Sequence, residues 1–197
     1  EVDELDHATF TYEFYENAGT KTGLSNVANV VHSVDAYILR SIHRRCNYDR
    51  EMVQNAYRMV QSSMSHSENV TLDIEGKVTY YIKQYERSGM ADVVILPYLD
   101  SLNVYGLSLI HRKKLLEIME SMLAYKPFEV ISIHDEYKTH PNNMNHLRQQ
   151  YINVLAELAE SNLLDDLLSQ LHGSPGSFKK LTPDLGTKIR MSNYALS

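Results

Sequence analysis

The sequence predicts an α+β fold, on three observations. Apolar residues recur at helical spacing along most of the chain. A β-prone run from Phe128 to Ile133 stands apart from that pattern, and a polar turn with a return segment follows it. Residues Thr9 to Tyr15 (TFTYEFY) alternate aromatic and polar side chains and predict a further strand.

Taken in order, Gly19 and Gly23 make a loop after that first strand. Ser25 or Asn26 is suited to cap a helix running to about Arg45, with Val30, Val34, Ile38 and Ile42 on one face. A second helix is predicted around Asp49 to Ser62. Val70 to Ile82 mixes β-prone and helix-prone residues, and Val93 to Leu96 is a short apolar run before Pro97. Ser108 is suited to cap a helix from Leu109 to Leu123. The basic group His111, Arg112, Lys113 and Lys114 in its first turns runs against the helix dipole and reads as a solvated face rather than a DNA contact. Phe128 to Ile133 (FEVISI) is a strand of the buried type, and Tyr137 to His140 return as its hairpin partner. Asn143 is expected to cap a helix with Leu147, Tyr151, Val154, Leu155 and Leu158 inward. Leu163, Leu164, Leu167, Leu168 and Leu171 predict a second, core-facing helix ended by Gly173, Pro175 and Gly176. The last twenty residues form a basic tail with a small apolar end, Tyr194 to Ser197.

A length of 197 residues, 43% hydrophobic and 22% charged, suits one domain or one large piece of a bigger enzyme. No apolar run approaches bilayer length, no signal peptide is visible, and an opening on Glu1-Val2-Asp3 reads as an excerpt, a processed product or the ordered part of a longer chain. Cys46 is the single cysteine, which excludes an internal disulfide and a CxxC metal site and suits a reducing compartment. The net charge of -6 argues on its face against nucleic acid. Its distribution softens that argument: Glu1, Asp3, Glu4 and Asp6 crowd one end, and Lys179, Lys180, Lys188 and Arg190 the other. The basic end reads equally as a solvated tail or as a face for a template. Fourteen tyrosines are present, without a stripe along the sequence that marks a stacking platform.

The group with chemical potential is His134-Asp135-Glu136, between the two predicted hairpin strands. A carboxylate there projects rigidly into a cleft, which is what nucleotidyl transfer requires. Two magnesium ions about 3.5–4 Å apart clamp the attacking and leaving oxygens, and magnesium takes carboxylate, phosphate and water oxygens. Alone, the tripeptide reads as a polar turn. His134, His140 and His146 lack zinc-site spacing. His32, Ser33 and Asp35 occupy successive helical positions facing different ways and form no hydrolase triad.

Three blocks, in order, resemble the phage-type single-subunit DNA-directed RNA polymerases of phages and mitochondria. Ile131 to His140 (ISIHDEYKTH) is similar to motif C of that family, Asn29 to Arg40 (NVVHSVDAYILR) to its upstream His-Ser-x-Asp block, and Leu167 to Ser197 to its C-terminus. The resemblance implies a palm hairpin packed by helices, with Asp135 as the catalytic carboxylate supplying one ligand to a pair of Mg2+ ions. It implies that His134 helps position the RNA 3′ end and that His32 lies near a nucleotide. Arg40, Tyr194 and Ser197 become nucleotide or nucleic-acid contacts, and Asp35 and Glu136 structural supports. The implied layout is 1–46, a palm strand and helix; 47–127, an inserted mainly helical subdomain; and 128–197, the motif C hairpin, its helices and a C-terminal foot.

The implied activity is template-directed ribonucleotide transfer, with a DNA template, an RNA product and nucleoside triphosphates as partners and no membrane. The implied location is the host-cell cytoplasm of a phage, and secondarily the mitochondrion. Glu136 stands where the RNA polymerases carry a small residue and looks more like the His-Asp-Glu of family A DNA polymerases. The first catalytic aspartate's motif and the fingers helix are not recognisable. The remaining polymerase sequence must therefore come from upstream or from a second subunit, as in the split polymerases of Enquatrovirus-like phages. A family A DNA polymerase palm, or a non-catalytic nucleic-acid-binding or structural subunit, is the alternative.

Overall fold

The computed structural model describes residues 24–66, 76–133, 136–173, 178 and 180–192, with side chains in the first helix from 28 onward. The strand expected at Thr9 to Tyr15 lies outside these residues. The described chain is mostly helical and carries a two-stranded antiparallel sheet, in keeping with the α+β class. It divides into two compact units, Glu1–Tyr37 and Ile38–Ser197, the division falling within helix α1 (Leu24–Cys46).

In the larger unit, α1 buries Ile38 and Ile42 and ends with His43, Arg44 and Arg45, the two arginine cations suiting the negative end of the helix dipole. Helix α2 (Arg50–Ser63) starts where the Asp49 carboxylate accepts the Met52 N–H at 3.0 Å, and it buries Val53, Ala56 and Val60 at helical spacing. The ambiguous stretch resolves as helix from Lys77: α3 spans Lys77–Ser88. It stops at Gly89, whose φ of 71° is left-handed and whose N–H caps the Tyr85 carbonyl. The apolar run at Val93 forms a 3-10 helix, Val93–Tyr98, capped by Asp92. Helix α4 (Leu109–Leu123) begins as predicted, with the Ser108 hydroxyl accepting the His111 N–H at 3.1 Å.

The main hydrophobic cluster joins α2, α3, α4 and the 3-10 segments, with Val60, Ile95, Leu107, Leu115 and Met119 fully buried. It lies wholly within 53–122. At its base the Tyr48 hydroxyl donates to the carbonyls of Met122 and Tyr125, and Arg50 to those of Leu123 and Tyr125. These bonds satisfy carbonyls that the end of α4 leaves without helical partners.

The basic group of α4 is not a solvated face. Lys113 and Lys114 are exposed, but His111 and Arg112 are buried. The Arg112 guanidinium donates to the carbonyls of Ser63, His66 and Tyr105 at 2.8, 3.0 and 2.9 Å, so its charge serves the C-terminal end of α2. The His111 ring stacks on Tyr85 at 3.8 Å. Burial first, and the nearby Lys114 second, lower its pKa to about 3, so the imidazole is neutral.

Helix α5 (Met144–Glu160) buries His146, Leu147, Gln150, Val154 and Ala156, whereas Tyr151, Leu155 and Leu158 are half-buried. Its buried face is therefore rotated toward polar residues: Gln150 donates to the Ser121 hydroxyl of α4 at 2.7 Å. Asn143 precedes the helix without a side-chain cap. A short 3-10 turn, Pro141–Asn143, leads in instead, with His140 accepting the Asn142 N–H.

Helix α6 (Leu163–His172) lies against α3, held by the Arg87–Asp166 ion pair and by the Asn162 N–H bonded to the Ser88 carbonyl. The prediction that its leucines are core fails: none is buried, and Leu163 and Leu167 are only partly covered. Leu164, Leu168 and Leu171 are exposed, because the helix docks through its Asp166 side.

The basic tail contains an unpredicted helix, α7 (Leu185–Met191), packed on α5. Lys180, Lys188 and Arg190 are exposed, as a solvated tail implies, and each also has a partner. Lys180 donates to the carbonyls of Ala159 and Glu160, Arg190 is bidentate on Glu160, and Lys188 pairs with Asp184. Lys180 caps the end of α5 and Arg190 ties α7 to it.

Candidate active site

The hairpin pairs β1 (Ile131–Ile133) with β2 (Glu136–Lys138), setting Ile131 opposite Lys138, Ser132 opposite Tyr137 and Ile133 opposite Glu136. This register leaves two residues between the paired ends, His134 and Asp135. Both lie outside the described residues, as do Tyr194 and Ser197.

Alternation along the strands gives the hairpin two faces. One carries Ser132 and Tyr137 and is seated on the helices. The Ser132 hydroxyl lies 3.3 Å from His43 Nε2 of α1, and the Tyr137 ring meets Tyr151 of α5 edge-on, centroids 5.6 Å apart. The other carries Ile131 and Ile133, 62% and 48% exposed, with Lys138 Nζ 3.3 Å from the Glu136 carboxylate. The strand predicted as buried is therefore exposed on its apolar side. Its buried residue, Val130, precedes the paired segment.

The root of the hairpin is fixed by backbone and by rings. The Phe128 N–H donates to the Cys46 carbonyl at 2.9 Å, and the Thr139 hydroxyl to the Glu129 carbonyl at 2.8 Å. Beneath it, His146 stacks on Tyr125 and meets the edge of Phe128. Burial holds the His146 pKa below its ordinary value and favours the neutral ring.

His32 and Asp35 are exposed on α1 in the smaller unit, where the Ser33 hydroxyl donates to the Asn29 carbonyl. Arg40 is exposed on α1 in the larger unit. His43, which the sequence reading does not single out, is the α1 residue that reaches the hairpin. Its signal is only its place in the last turn of the helix, which becomes informative once the strand is known to pass that turn.

Among the described residues no three His, Cys, Asp or Glu side chains gather into a group able to hold a metal. Of the carboxylates expected at the hairpin, Glu136 is described and is engaged by Lys138. Asp135 and Glu136 offer hard oxygen donors, the class magnesium takes, so the donor chemistry suits that ion. One carboxylate at position 135 leaves most of the ligands to other groups.

A separate cleft of about 210 Å³ lies between α4, α5 and α7, lined by Arg45, Glu117, Glu157, Glu160 and Arg190. Arg45 bonds both oxygens of Glu157, at 2.8 and 2.6 Å, and Arg190 both oxygens of Glu160. No helix of the described residues is long and apolar enough to cross a membrane. No protein-family model matches the chain, and no curated protein matches it.

Proposed function

We propose that this chain is the motif C palm portion of a DNA-directed RNA polymerase, completed by further polymerase sequence upstream or on a second subunit. The observation that carries the reading is the hairpin register. With Ile133 opposite Glu136, His134 and Asp135 fall between two antiparallel strands whose root is bonded to α1 and packed on α5. A rigid root is what a catalytic carboxylate needs, because positioning and electrostatic preorganisation supply most of the rate in phosphoryl transfer.

In this reading Asp135 holds magnesium, which when bound neutralises charge developing on the attacking and leaving oxygens. His134 orients the RNA 3′ end, with His32 and Arg40 toward nucleic acid and Asp35 and Glu136 as supports. Tyr194 to Ser197 approach the nucleotide. The layout 1–46, 47–127 and 128–197 is supported by the Cys46–Phe128 bond, because an inserted segment must leave the parent fold where it entered.

The test is magnesium- and template-dependent extension of an RNA primer by the complete assembly, wild type against Asp135→Ala. Loss of extension by several orders of magnitude, with folding and DNA binding retained, is the expected result. Equal extension by both proteins makes Asp135 a turn residue and ends the proposal.

A further inference from the structure

The sequence carries no stripe of tyrosines, but the fold assembles one. Tyr80 and Tyr81 of α3 meet edge-to-face, centroids 5.3 Å apart, and Tyr81 stacks on Tyr98 of the following 3-10 helix at 6.0 Å and 23°. The three rings form a continuous surface, with Tyr80 57% and Tyr98 37% exposed. Lys77 lies over the Tyr98 ring at 4.6 Å and donates to its hydroxyl at 3.0 Å. Lys83 is exposed and one turn beyond Tyr80. Among the described residues neither lysine has a carboxylate partner, in a chain of net charge -6. The acidic residues flanking Tyr98 in sequence are engaged elsewhere, Asp92 partly buried and Asp100 exposed. Asp92 accepts the Val94 N–H and pairs with Arg44, and Asp100 accepts the amides of Leu102 and Asn103. Tyr98 also lines a mainly apolar groove of about 300 Å³ with Met52, Val93 and Met122.

Exposed π-faces flanked by cations are the elements of a single-strand surface: every base stacks on a flat ring, and the phosphates between bases seek ammonium groups. A proline-rich or apolar peptide would use the rings but leave the lysines unanswered. We infer that Tyr80, Tyr81 and Tyr98, with Lys77 and Lys83, form a stacking surface for single-stranded nucleic acid, which gives the 47–127 segment a binding role. The identity of this partner as nucleic acid rests on the proposed function. The surface itself is distinct from the hairpin and has its own test.

That test is fluorescence anisotropy of a labelled oligothymidylate with the full chain at low salt. Tyr80→Ala and Tyr98→Ala each weaken binding about tenfold, and Tyr80→Phe does not, because the ring and not the hydroxyl stacks. Lys77→Gln combined with Lys83→Gln lowers the slope of log affinity against log salt by about 1.4, two phosphate contacts on a single strand. Circular dichroism confirms that the variants, all at exposed positions, remain folded. Absence of oligonucleotide binding by the wild type overturns the inference. So does equal binding by all variants, or a duplex bound as tightly as the single strand. Asp135→Ala binds as the wild type does, so loss of extension and loss of stacking are read independently.

Discussion

The backbone N–H of Phe128 donates to the carbonyl of Cys46 at 2.9 Å, so the chain closes on itself across the whole of 47–127. Tyr48 and Arg50 on one side of this neck bind the carbonyls of Met122, Leu123 and Tyr125 on the other. The main hydrophobic cluster lies inside the loop so closed.

Residues 47–127 expressed alone are therefore expected to fold. Their core residues contact one another and the neck contacts are internal, so the fragment should unfold in urea as one cooperative transition. A gradual loss of helicity without a transition would show that the fragment depends on α1 or α5.

Arg45 is 2% exposed and its partner Glu157 24%. Glu157→Ala strands a buried guanidinium and should cost about 3 kcal/mol of unfolding free energy. Arg45→Met with Glu157→Leu should recover most of it, because both charges leave together. Chemical denaturation checks this. A single-variant loss below about 1 kcal/mol would rank the pair with surface salt bridges.

Arg112→Lys should be as damaging as Arg112→Met. Three carbonyls on two segments need the planar fork of a guanidinium, and an ammonium on a shorter reach cannot meet all of them. Each variant is expected to lose about 2–3 kcal/mol, chiefly from carbonyls left buried and unpaired. Full stability in Arg112→Lys refutes the fork argument.

His111 makes stability pH-dependent. Its folded pKa, about 3, is below the ordinary 6.5, so between those values the unfolded chain holds a proton that the folded chain excludes. Its neutral-state packing is fully available above pH 6.5, and stability falls as the pH drops from there toward about 3. The slope from this residue approaches about 1.4 kcal/mol per pH unit within that window. His111→Phe keeps a ring on Tyr85 and should flatten the profile relative to wild type. Parallel profiles for the two proteins would exclude His111 as the source.

Helices were legible where local signals and burial agree. Ser108 caps the helix it was expected to cap, Leu109–Leu123 is bounded as predicted, and the helix expected around Asp49 to Ser62 spans Arg50–Ser63. The hairpin was legible in its pairing but not in its burial, since alternation cannot say whether anything covers Ile131 and Ile133. Arg112 misled because its local pattern is that of a solvated cation. What buries it is the end of α2, forty-nine residues from it at Ser63. Arg190 and Lys180 are exposed, as a solvated tail implies, but their partners are the last residues of α5, which the local pattern does not reveal. At the candidate site, the tripeptide His134-Asp135-Glu136 reads in sequence as lying between the strands, but Glu136 belongs to β2, and the seating of the hairpin on His43 and Tyr151 depends on contacts distant in sequence.

Cys46 adds a consequence of another kind. It is fully buried at the neck, and burial pushes its thiol up to about 12 despite the neighbouring Arg45. At neutral pH almost none of it is thiolate, the reactive form. As the chain's one sulfhydryl, it is silent to alkylating reagents while the neck is closed and becomes a single-site clock when the neck opens. The rate of its modification then reports how often 47–127 detaches from the helices around it, without any label being introduced.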